Sequence, residues 1–340
     1  MGHPDIDNTT PFAFEPIFIA DEELRPVVVT IVKATYQFDS QGFVTVADAQ
    51  APVNLAGELW TKAPVSSYKY EPEVALCKLA TDVALIGRAL PPSAGATQVD
   101  VGIKVGPVQK LARVFGDRFW VWNGRGVVLS KTAPLTPVPL MWEKAFGGHD
   151  ARNSTPQREL FEPRNPVGTG FGKPLAKEGD HLKLPNIEDP KHLLGGYGDV
   201  VPPCGFGFIS PNWQPRAELA GTYDTSWNDT RKPMLPADFD RRFFNAAAPG
   251  LTAPGYLHGD EDVIVLNASP LARLEFRLPA VPPPVCRVAL RGQDVIELPT
   301  NLDTVIVNTD EQRLFLFWRA YTPVGAGPHD VLAVSAAMGN

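Results

Sequence analysis

TQVDVGIKVG (97–106) alternates Val99, Val101, Ile103 and Val105 with Gln98, Asp100, Gly102 and Lys104. Successive strand side chains point to opposite faces, so this order predicts a β-strand with one buried and one solvated face. No other stretch of the chain is as regular. KLARVFGD (110–117) and FWVW (119–122) continue the pattern. Asn123-Gly124 tolerates positive φ at both positions and predicts a two-residue turn into a returning strand at 126–130. Upstream, PVVVTIVKATYQF (26–38) is dense in β-branched and aromatic residues and reads as a long strand. Asp39-Ser40-Gln41-Gly42 then reads as a turn and FVTV (43–46) as its return. EVALCKLATDVALIGRAL (73–90) is read as strands rather than one helix, because Thr81-Asp82 interrupts it.

Beyond Pro134 the period is lost. Proline and glycine dominate to about residue 262, with only short helical turns expected at 141–145 and 237–245. Strands return at 263–266, 273–277, 286–291, 294–298, 304–308 and 313–319, and Asp310-Glu311-Gln312 marks a last hairpin. The expected fold is mainly β, with antiparallel, sandwich-like sheets at both ends of the chain and a long loop-rich middle. In residues, 1–135 is an N-terminal β region, 136–262 an irregular Pro/Gly-rich segment and 263–340 a C-terminal β region. The 340 residues suit one domain or two intimate ones.

Composition narrows the function. The 35 Pro and 29 Gly favour turns over helices, and a net charge of -7 with scattered lysines and arginines offers nucleic acid no basic face. Cys77, Cys204 and Cys286 are widely spaced and odd in number, which suits reduced thiols. The N-terminal residues lack the basic and apolar regions of a secretion signal, and no apolar run approaches the ~18 residues of a membrane span. A cytoplasmic protein without membrane insertion is expected.

Signals for chemistry are weak. His149-Asp150 lacks the helical His and Asp partners of a metal-dependent HD site, and His258 beside Asp260, Glu261 and Asp262 reads as a solvated turn. Nothing near Cys204 marks it as an activated nucleophile for a pair with His258. GTGFG (168–172) is not followed by Lys-Ser/Thr and does not open a helix, so it is no phosphate loop. Asp224 with Asp238 or Asp240 could supply a glycosidase's acid and base, but Arg231, Arg241 and Arg242 offer them ion-pair partners instead. No catalytic residue, metal ligand, nucleotide or organic cofactor is expected.

The stretch 201–262 stands apart, because irregular segments of this length usually carry function. It interleaves Trp213, Tyr223, Trp227, Phe239 and Phe244 with Arg231, Arg241 and Arg242. Rings and guanidinium groups dominate the energetics of protein interfaces, so these eight residues are the candidate partner-binding set, either forming the surface or bracing it.

Several motifs resemble a known family. PLMWEKAFGG (139–148), NPVGTGF (165–171), LPNIEDP (184–190), PPCGFGFISPNWQPRAELAGTYD (202–224), LPADFDRRFFNAAAP (235–249) and GYLHGDE (255–261) look like an uncharacterised-domain family encoded with bacterial type VI secretion systems. The similarity runs from about residue 10 to about residue 300. It implies a non-catalytic cytoplasmic adaptor or chaperone that binds a type VI effector and helps load it onto the VgrG or PAAR-type spike. The alternative is a carbohydrate-active or other hydrolase using the carboxylates of the middle segment.

Overall fold

The computed structural model describes residues 3–63, 65–150, 153–155, 157–172, 179–325 and 327–339. With 39% strand against 6% helix, the protein is mainly β. The organising element is the central sheet, in which Ala13–Ala20, Pro26–Phe38, Arg313–Pro323, Asn301–Asn308 and Asp82–Ile86 lie side by side and Val44–Val46 pairs back onto Pro26–Phe38. All these pairs are antiparallel except Asn301–Asn308 with Asp82–Ile86.

Pro26–Phe38 is buried almost throughout because both faces of the sheet are covered. Val28, Val32, Ala34 and Tyr36 enter one core, and Val27, Val29 and Ile31 enter the other. The first core is closed by an antiparallel sheet ordered Ile187–Glu188, Val108–Phe115, Gln98–Val105, Asp262–Leu266, Arg273–Arg277. Val99, Val101, Ile103 and Val105 face into it, as their alternation requires. Cys286, Val288, Val334 and Ala336 of a four-stranded sheet, ordered Asp5–Asn8, Val331–Ala337, Val285–Leu290, Ile296–Pro299, join the same core. The second core is covered chiefly by irregular chain, with Leu76, Cys77, Phe208 and Ala246 over that face, and Tyr70 of the two-stranded ladder Glu58–Leu59/Tyr68–Tyr70 packs against it.

The two β-rich ends do not build separate assemblies. Val32 pairs with Trp318 in the central sheet, and Ile103 pairs with Val265 in the five-stranded one, so the 1–135 and 263–340 regions share both large sheets. The 136–262 segment is spread between them, lending Ile187–Glu188 to one sheet and laying its later part over the other.

Most expected strands are present, including the hairpin of Asn301–Asn308 with Arg313–Pro323. The turn after Trp122 differs. Trp122 pairs with Val127, so the loop has residues 123–126, and Asn123 Oδ1 accepts from the amides of Arg125 and Gly126, both at 3.0 Å. A side-chain acceptor spanning the loop favours the longer turn over the two-residue form. Of the 73–90 stretch only Asp82–Ile86 and Arg88–Ala89 are strands. Among the elements that carried no expectation are Asp5–Asn8, Ala13–Ala20, Ile187–Glu188, Val331–Ala337 and the helix Thr225–Thr230. No helix among the described residues is long and apolar enough to cross a membrane.

Candidate functional site

Residues 204–209 and 245–251 form a neck through which the middle segment leaves the core and returns. Phe206 and Phe208 are buried on the way out, and Ala246, Ala247 and Ala248 on the way back. The two runs exchange backbone bonds, Ile209 N to Ala246 O at 2.7 Å and Ala248 N to Gly207 O at 3.1 Å. The glycine at 205 has a steric cause. A Cβ at Gly205 would lie 3.0 Å from the Trp142 ring, whose Nε1 donates to Phe208 O at 2.8 Å.

Asp82, wholly buried at a strand start, ties the neck to the central sheet. Its carboxylate accepts from Ala246 N at 2.8 Å, Asn245 Nδ2 at 3.0 Å, Thr252 Oγ1 at 3.1 Å and Lys78 Nζ at 2.9 Å. Lys78 also donates to Glu71 at 2.8 Å. Burial works against the Lys78 ammonium, but the carboxylates of Asp82 and Glu71 outweigh it and hold its pKa above the ordinary lysine value. Beside it, Lys33 pairs with Glu73 at 2.6 Å and Arg319 with Asp303 at 2.5 Å. For Glu73, burial outweighs Lys33 and raises the carboxyl. Four cations, Lys33, Lys78, Arg216 and Arg319, thus meet four carboxylates, Glu71, Glu73, Asp82 and Asp303. Charges in a low-dielectric interior persist when balanced and hydrogen-bonded in this way.

Between the two arms of the neck, residues 210–244 form a surface lobe. It contains turns of 3-10 helix at Arg216–Ala220 and Arg241–Phe244 and the one-and-a-half-turn helix Thr225–Thr230. Arg216 binds the lobe's ends together, donating to Phe243 O and Ile209 O at 2.7 Å each and stacking on the Phe243 ring at 5.0 Å. Arg241 forks onto Glu22 at 2.6 and 3.0 Å and donates to Tyr321 at 2.8 Å. The hydrogen bonds that Arg241 donates to the Glu22 carboxylate raise the Arg241 pKa. Burial opposes ionisation of Glu22, yet Arg241 lowers that carboxyl overall. Arg231 reaches Glu23 and Leu235 O.

The candidate partner-binding residues divide by position. Trp213 is buried in the first core, its ring 6.2 Å from that of Trp142, so it braces the lobe and presents no free surface. Tyr223 is 53% exposed and meets Trp227 edge-on at 4.7 Å. Phe239 contacts Phe243 and Phe244 at 5.6 Å each, and Phe244 packs against the second core. Arg231 and Arg241 are committed to Glu23 and Glu22, whereas Arg242 is exposed and pairs within the lobe to Asp240. Sequence reasoning missed Glu22, Glu71, Lys78, Asp82 and Tyr321, which anchor the lobe from distant parts of the chain.

The three middle-segment acids are all occupied. Asp224 caps Thr225–Thr230 by accepting from Trp227 N at 2.8 Å. Asp238 accepts from Thr222 N at 2.9 Å and Oγ1 at 2.7 Å, bonds that lower its pKa. Asp240 accepts from Arg242 N and Nε, both at 2.8 Å, and its pKa is lowered chiefly by the side-chain bond. The Cys204 thiol is buried and pushed up to about 11 by that burial. His258 lies in an exposed turn where Glu261 Oε1 accepts from its amide at 2.7 Å. His149 stacks on Phe161 and faces Glu159, and Thr169–Gly170 pairs with Phe146–Gly147. Among the described residues no group of three or more His, Cys, Asp or Glu stands close enough to hold a metal.

Fold and site together define a mainly β protein whose long middle segment is anchored on a double-faced sheet and displayed as a capped aromatic and arginine lobe. The chain belongs to the family described as "Uncharacterized protein conserved in bacteria (DUF2169)", whose model matches residues 23–319. Comparison with curated proteins gives no match, and comparison with solved structures gives none.

Proposed function

We propose that this chain is a non-catalytic adaptor or chaperone that works in the bacterial cytoplasm, binds a type VI secretion effector and helps load it onto the VgrG or PAAR-type spike. The motif resemblance supplies the system. The observation that carries the non-catalytic part is the capping of Asp224, Asp238 and Asp240 by backbone amides, Thr222 and Arg242. A general acid and base need carboxyls free to exchange protons with substrate, and a glycosidase needs two facing each other across a cleft. These three are committed to structure, so the lobe offers partners rings and guanidinium groups.

The test is capture of tagged protein from its own bacterium, with identification of what co-purifies, repeated for Trp227→Ala and Arg242→Ala. Truncating a central aromatic or Arg anchor weakens binding by at least about 2 kcal/mol, roughly 30-fold. The expected result is an effector and a spike component bound by wild type and diminished in a variant whose melting temperature is unchanged. Capture of neither class by the wild type refutes the proposal.

A further inference from the structure

The outward face of the five-stranded sheet carries a cleft of about 500 Å³ on the opposite side of that sheet from its buried valines. Its floor follows from cross-strand register. Arg273, Leu266, Gly102 and Leu111 form one row, and Glu275, Ile264, Lys104 and Gln109 the next. Gly102 makes the trough, since a Cβ there would lie 2.5 Å from Leu111 Cδ2, and Leu111 stays 53% exposed above it. Asp189, Pro190, Lys191 and Pro249 form the walls.

The charge of this cleft opposes that of the molecule. Lys104, Lys191 and Arg273 face it against Asp189 and Glu275, while the whole chain carries -7. Asp189 is engaged with His192 at 3.0 Å, and Arg273 with Glu275. Among the described residues Lys104 and Lys191 have no carboxylate within ion-pair distance. Lys110, opposite Ile103 in the register, leaves the core face of the sheet and donates to Pro249 O at 2.8 Å, at the edge of the cleft.

We infer that this cleft binds an extended acidic peptide segment, with an aliphatic side chain seated over Gly102 among Leu111, Ile264 and Leu266 and carboxylates against Lys104 and Lys191. The spacing fits, because alternate side chains of an extended chain repeat at about 6.6–6.8 Å, the same interval that separates the two rows of the floor. Charge fits as well. A cationic cleft on an acidic protein attracts a chain that the remaining surface repels. Nucleic acid fits less well, because no aromatic ring lines the cleft to stack a base. The site lies on other elements than the 210–244 lobe, and its chemistry is argued independently of the function proposed above.

The test uses the full chain and a fluorescein-labelled nine-residue peptide alternating Glu and Leu, read by fluorescence anisotropy. Comparison peptides alternate Glu with Ser and Lys with Leu. The Glu/Leu peptide is expected to bind best and to weaken as salt rises. The double variant Lys104→Glu/Lys191→Glu, at two exposed and unpaired positions, is expected to weaken it about tenfold or more. Lys62→Glu, a charge reversal outside the cleft, should leave affinity unchanged, and circular dichroism should show all variants folded. Equal binding of the Glu/Leu and Glu/Ser peptides, equal binding of Lys/Leu, or indifference to the double reversal overturns the inference. So does a single-stranded oligonucleotide that binds more tightly than the peptide and shows the same dependence on Lys104 and Lys191.

Discussion

Asp82→Asn is the sharpest perturbation of the neck, because it keeps the side chain's shape and removes its charge. Asp82 is wholly buried and accepts four hydrogen bonds, one of them from Lys78, whose side chain is 4% exposed. The amide nitrogen of asparagine would turn a donor toward a donor, and Lys78 would keep only Glu71 as a counter-charge. Removing one partner of a buried pair destabilises by about 3–5 kcal/mol, since the remaining charge is left uncompensated. At ~2.1 cal/mol/K per residue, unfolding entropy for this length is roughly 0.7 kcal/mol/K, so the melting temperature should fall by about 4–7 °C. Urea unfolding followed by tryptophan fluorescence gives the free energy, and thermal circular dichroism the shift. Because Asp82 holds the amide of Ala246 and the side chain of Asn245, limited proteolysis within 210–244 should accelerate in the same variant. Replacing both partners, as Lys78→Met/Asp82→Leu, should destabilise less than the sum of the single changes. A loss under about 1 kcal/mol for Asp82→Asn, with unchanged proteolysis, would show that the carboxylate does not anchor the neck.

Glu22 has a folded pKa below its ordinary value, so its pairing with Arg241 adds stability that is full above the unfolded pKa and disappears as pH falls through the folded one. Protease sensitivity of the lobe should therefore rise on acidification below about pH 4.5, and Glu22→Gln should be sensitive already at neutral pH; identical profiles for the two proteins would refute the Glu22 assignment. Gly221 has φ of 84°, and a Cβ there would lie 2.7 Å from Pro236 Cβ and 2.8 Å from Asp238 Oδ1. Gly221→Ala should cost about 1–3 kcal/mol in urea unfolding, and a neutral result would show that the 221–238 contact is looser than drawn.

The sheets were legible because their signals are local. Val99, Val101, Ile103 and Val105 announce a buried face by alternation alone, and Pro26–Phe38 announces a long strand by its β-branched and aromatic residues, though the burial of both its faces emerged only in the fold. The neck was hidden because its parts come from four distant places: Glu22, the 71–82 stretch, 204–251 and the last long hairpin with Asp303, Arg319 and Tyr321. A signal did exist. Lys33 is a lone charge in an apolar strand, and Asp82 opens one, so each had to find a counter-charge in the interior. What sequence could not supply was the pairing, which depends on which irregular segment covers that face. The Asn123 loop failed for a related reason, since a side-chain acceptor chose the longer turn.

The balanced set of buried ions also bears on why the middle segment has one arrangement despite its lack of period. Apolar contacts with Leu76, Phe208 and Ala246 are nondirectional and would tolerate a shifted chain covering the second core. Hydrogen-bonded charges are not tolerant in this way. A displacement that separates Asp82 from Lys78 and Ala246 N, or Glu73 from Lys33 and Asn54 N, strands a charge in the interior. Regular elements obtain register from backbone ladders; here a few backbone bonds, such as Ile209 N to Ala246 O and Val83 N to Leu251 O, act together with side-chain carboxylates to hold the neck in register, and the lobe carrying Tyr223, Trp227 and Arg242 is displayed from that fixed base.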